Sequence, residues 1–231
     1  MDINEPTNED VSNSIVKGLI GTIPVVGALA TELFGLIVVP PLEKRRVEWM
    51  NEIASRLKNL EDKHLLTLES LKDNEQFIDT ILQTTTYVLK TSEEEKILAF
   101  QNALLNTALP EAPEKTKSQI FLNQLDNFTV WHIRILQFLD SPRQWFIKRG
   151  MQVPDISMGI GVNVLRVLRE AFPEIRSENT LIEIIIKDLA NVGVVDGEDM
   201  RGMVSSPTSV LARRTTKFGQ EFLDFITDKN N

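Results

Sequence analysis

The chain has no cysteine, one tyrosine and only two histidines among its 231 residues. The first absence excludes disulfides and thiolate metal sites. The histidines, His64 and His132, are far apart and form no H-E-x-x-H spacing, so no metal site is expected. His64 falls on the apolar seam of a helix and is expected to be partly buried; His132 reads as a structural residue. Walker loops and the Gly-x-Ser-x-Gly elbow are missing. "MGIGVN" at 158–163 holds Gly-x-Gly, but with no strand before it and no third glycine after. Glu93, Glu94 and Glu95 suit the positive end of a helix better than a general-acid role. The chain therefore reads as non-enzymatic, with no cofactor.

Strand-like alternation is nearly absent as well, and periods of three and four residues take its place. Hydrophobic residues make up 42% and charged residues 25%, which suits a packed fold and argues against wholesale disorder. A net charge of −8 argues against broad attraction to nucleic acid or to an anionic membrane, although local basic clusters can still act. The opening "MDINEPTNED" is acidic where a secretory signal would be basic, so a cytoplasmic protein is expected.

The expected fold is all-α. Residues 1–12 read as a flexible N-terminus, 13–150 as a helical body containing an apolar hairpin at 14–41, and 151–231 as a small winged-helix-like module. After Pro40-Pro41, Met50, Ile53, Leu57 and Leu60 form a narrow helical seam, with Glu52 and Arg56 spaced as an i, i+4 ion pair. A helix or two follow to Lys90, with Phe77, Ile78, Ile81, Leu82, Val88 and Leu89 as their buried side. Ser92 and Glu95 predict a capping box. "ALPEAPEKTKS" reads as a linker before helices at 114–126 and 129–139. Next comes a short helix with Ser141 at its cap, Pro142 first and Gly150 just past its end. The tail reads as helices near 158–171 and 178–191, a stop at Gly193, short strands at Val194–Asp196 and near 209–214, and a helix at 216–227.

The stretch "GLIGTIPVVGALATELFGLIVVPPLEKRR" stands apart: from Gly18 to Leu42 its one charge is Glu32. Two readings are open. Gly27, Thr31 and Gly35 give a smooth face for close helix packing, and Lys44, Arg45, Arg46 and Trp49 resemble an interfacial anchor. Against a simple span, Pro24 interrupts the helix, and Glu32 is costly inside a bilayer. The same residues suit a helical hairpin buried in a bundle. In the tail, Arg213, Arg214 and Lys217 are the local basic cluster, but Glu178, Glu183 and Asp188 oppose it on the helix that would read DNA.

These segments, with "FLNQLDNFTVWHIRILQFLDSP" and the ending "LARRTTKFGQEFLDFIT", resemble the bacterial abortive-infection alpha domain family. The resemblance implies a link to phage defence and assigns no site residues. The resulting expectation is a helical effector or interaction protein whose apolar hairpin acts at membranes, with a protein partner or a second copy. A winged-helix nucleic-acid regulator and a scaffold or immunity-type binder are the alternatives.

Overall fold

In the computed structural model the described residues are 43–154, 163–197 and 207–228. They are helical, and their one extended pairing is a single antiparallel bridge between Val195 and Thr215. Pro24, Gly27, Thr31, Glu32, Gly35 and the whole of segment 14–41 lie outside the described residues. By packing, the chain forms two compact units: residues up to Asn123 together with Ile226 onward, and Gln124–Phe225.

The first unit contains α1 (Glu43–Asp62), α2 (Leu68–Leu71), α3 (Glu75–Lys90), α4 (Glu94–Ala108) and the start of α5 (Lys115–Asn127). The α1 seam is as the spacing predicts: Met50, Ile53, Leu57 and Leu60 are all buried. Full burial of one such side chain contributes about 2 kcal/mol. On α3, Phe77, Ile81, Val88 and Leu89 are buried, whereas Leu82 is 40% exposed. The inward positions beside it are taken by threonines. Thr80, Thr84 and Thr85 are buried because each hydroxyl donates to a carbonyl one turn back, at 2.7–2.8 Å. An intrahelical bond thus lets polar side chains replace leucine in the core.

α4 is buried along its whole second half, from Ala99 to Ala108. Its start differs from expectation: Glu93 is the N-cap, without a side-chain bond, and Ser92 does not close a box. Instead the Thr91 hydroxyl accepts the Glu93 amide at 3.2 Å, a local turn that competes with the box. α1 also ends earlier than its pattern suggests. His64 adopts φ 60° and is exposed, not a seam residue. His64 N–H donates to the Glu61 carbonyl (2.8 Å) and Leu65 N–H to that of Leu60 (3.0 Å). This is a Schellman ending with histidine in the left-handed position.

The second unit contains α6 (Val130–Asp140), α7 (Pro142–Lys148), α8 (Val164–Ala171), a 3₁₀ turn (Pro173–Ile175), α9 (Asn179–Asn191), α10 (Pro207–Val210) and most of α11 (Lys217–Ile226). α6 is its central element, packed on α7, α8 and α9. Phe138 makes edge-on contacts with Trp145, Phe146 and Phe172 at centroid distances of 5.7–6.2 Å. α8 starts on a side-chain cap, Asn163 accepting the Arg166 amide at 3.0 Å, whereas α7 and α9 start at Ser141 and Glu178 without a side-chain cap bond. α7 and α9 end on Gly150 and Gly193, both at positive φ, as the sequence predicts.

After α9 the chain extends, and Asp196 N–H donates to the Arg214 carbonyl (2.9 Å) while Thr216 N–H donates to that of Val194 (3.1 Å). The pairing centres on Thr215 rather than on 209–214, because Pro207–Val210 is helical. Gly219 on α11 lies so close to Val194 that a Cβ there would collide with the Val194 carbonyl.

Candidate functional site

The basic and aromatic residues at the start of α1 divide between water and core. Lys44 is exposed and pairs along the helix with Glu48 at 3.8 Å. Arg45 Nη1 donates to the Leu89 carbonyl at 3.2 Å. Arg46 and Trp49 are 5% and 3% exposed, and Trp49 Nε1 donates to Thr85 Oγ1 at 3.0 Å. Arg46 and Trp49 are buried with Met50 and Ile53. That spacing carries the buried stripe of α1 back by a turn. Three of the four expected anchor residues therefore join α1 to the body of the first unit.

Arg213, Arg214 and Lys217 differ in exposure and in partners. Arg213 Nε is 3.1 Å from Asp140 Oδ1, and its Nη1 donates to Gln220 Oε1 at 3.1 Å. Asp140 also accepts the hydroxyls of Thr215 (2.7 Å) and Ser141 (2.8 Å). Arg214 is half-buried: its amide donates to the Leu139 carbonyl and its Nη2 to that of Ser209. Lys217 is exposed. The Arg213 side chain and the Arg214 amide thus tie the end of α6 to the segment before α11.

α9 presents a different surface. Ile182, Ile185 and Leu189 point into the second unit, while Leu181 and Ile184 are 37% and 51% exposed. Glu183 and Lys187 flank them, also exposed. Two apolar side chains one turn apart, rimmed by opposite charges, have the composition of a small protein-contact patch.

His132 is structural in an unexpected way. Its Nδ1 accepts the Thr129 amide at 3.2 Å, as the second half of a capping box, and its ring stacks on Phe128 at 5.1 Å. Its Nε2 lies 3.5 Å from Asp188 Oδ2.

The most developed polar cluster joins α1, α4 and the end of α11. Arg56 donates to Gln101 Oε1 (3.2 Å), Asn102 Oδ1 (2.8 Å) and Asp228 Oδ2 (2.9 Å), and not to Glu52. Asn102 and Asn106, one turn apart, donate to the backbone carbonyls of Ile226 and Thr227. A cavity of about 70 Å³ opens beside them, lined in part by Asn59, Lys63 and Leu105. Sequence reasoning missed this cluster; the signal was an i, i+4 asparagine pair inside an apolar helix.

Among the described residues there is no group of three or more histidine, aspartate or glutamate side chains placed to hold a metal ion. Nor is any helix among them long and apolar enough to cross a membrane. No protein-family model, no curated protein and no solved structure matches the chain.

Proposed function

We propose that this chain is a non-enzymatic helical interaction protein of bacterial phage defence, of the abortive-infection type, and cytoplasmic or membrane-associated. Its winged-helix-like tail contacts a protein partner or a second copy, and the apolar hairpin at 14–41 acts at the membrane. The observation that carries the protein-contact reading is the outward face of α9, where Leu181 and Ile184 are exposed beside Glu183. A DNA-reading helix needs a basic face there, and Arg213 and Arg214 are each already engaged by groups of the second unit. The membrane part rests on the run from Gly18 to Leu42 with its single charge.

The test is phage challenge of cells producing the full chain or the doubly substituted Leu181→Glu/Ile184→Glu chain, with sizing chromatography of each purified protein. Loss of protection by a folded variant, with a change in its assembly, supports the reading. Full protection by that variant overturns it. So does a salt-dependent DNA shift abolished by Arg213→Glu and Lys217→Glu, which is the signature of a nucleic-acid regulator.

A further inference from the structure

α7 lies in a stretch of described chain that carries three basic residues and no acidic one. From Ser141 to Pro154 the sequence carries Arg143, Lys148 and Arg149 and no aspartate or glutamate, in a chain of net charge −8. The helix buries Pro142, Trp145 and Phe146 and exposes Arg143, Gln144, Ile147 and Lys148. Ile147 is 51% exposed, midway along this basic face. Arg149 is held with its guanidinium 3.2 Å above the Trp145 ring. Elsewhere exposed cations are often paired, as Lys44 is with Glu48 and Lys115 with Asp79. Arg143 and Lys148 have no acidic partner among the described residues.

We infer that the outward face of α7 docks on anionic lipid headgroups, an inference that rests on the membrane part of the proposed function. The charge is complementary, and the exposed isoleucine decides between partners. A lipid interface takes cations at headgroup level and an apolar side chain just below them. A nucleic-acid backbone would satisfy the cations and leave Ile147 in water. A helix of seven residues is roughly 10 Å long, too small to supply the roughly 800 Å² per partner of a stable protein interface. A weak basic patch acting together with an apolar segment is how two modest signals give lasting membrane attachment. The docking surface is thus α7, and not the start of α1, where Arg46 and Trp49 are buried.

The experiment is flotation of the full chain with phosphatidylcholine vesicles, with and without phosphatidylglycerol, at two salt concentrations. The wild-type chain is compared with Arg143→Gln/Lys148→Gln, Ile147→Ser and Lys44→Gln, each checked for a native circular dichroism spectrum. The expected result is salt-sensitive binding that requires phosphatidylglycerol and falls about fivefold for each α7 charge removed. Ile147→Ser weakens binding but keeps the salt dependence, and Lys44→Gln changes little. If the Arg143/Lys148 variant floats like wild type, the α7 inference fails while the membrane reading stands. If wild type floats with neither vesicle, both fail. Binding of duplex DNA that depends on Arg143 and Lys148, with no vesicle binding, overturns it in favour of nucleic acid.

Discussion

Arg56 Nη2 and Asp228 Oδ2 are 2.9 Å apart although 172 residues separate them in the chain. The guanidinium is less than one-fifth exposed and also serves Gln101 and Asn102. Arg56→Ala removes all these donors and is expected to cost about 2–3 kcal/mol in a urea melt. Arg56→Lys does not restore it, because an ammonium lacks the planar fork that spans separate acceptors. Asp228→Asn costs less, about 1 kcal/mol, since its carboxylate is one-third exposed.

His64 occupies a left-handed position that glycine fills without strain. His64→Gly is expected to raise stability by about 1 kcal/mol, although glycine normally costs unfolded-state entropy. A melting temperature that falls would show that the backbone there is not strained.

Gly219 is constrained by space and not by backbone angle. Gly219→Ala places its methyl group against the Val194 carbonyl, which cannot swing aside as a side chain end can. A loss of more than about 3 kcal/mol is expected, visible as a lowered melting temperature or a failure to fold. Gly150→Ala has open space around it and only its positive φ to contend with, so it costs about 1 kcal/mol.

The Glu61 carboxyl is held below its ordinary range, first by the Leu68 backbone N–H that donates to it at 3.0 Å and then by Lys58. A depressed carboxylate adds stability above its unfolded pKa, and that addition is lost as pH falls through the folded value. Glu61→Gln is therefore expected to lower stability at neutral pH and to narrow the gap to wild type in acid. Denaturant midpoints at pH 7 and pH 3 measure it; an equal gap at both sets the argument aside.

The α1 seam and the endings at Gly150 and Gly193 were legible because they depend on local spacing and on residues with one strong preference. Leu82 was misplaced for a different reason. Threonine hydroxyls bonded within α3 take inward positions that a polarity count assigns to water. Glu52–Arg56 was misread because the i, i+4 rule ranks exposed pairs and ignores buried oxygens offered by a distant helix. Arg46 and Trp49 show the same limit: composition reads as an interfacial anchor, and the helix rotation that buries them is set by α3. The clasp around residues 226–228 was beyond reach, since nothing local marks which late segment Asn102 and Asn106 will receive.

That clasp orders events during synthesis. The first unit takes its last packing segment, from Ile226 onward, from chain made after the whole of the second unit. At translation rates of roughly 5–20 residues per second, α1 and α4 wait several seconds before the Asp228 carboxylate and the carbonyls of Ile226 and Thr227 reach Arg56, Asn102 and Asn106. During that interval their donors are open to water, to a chaperone or to the tail of a neighbouring nascent chain.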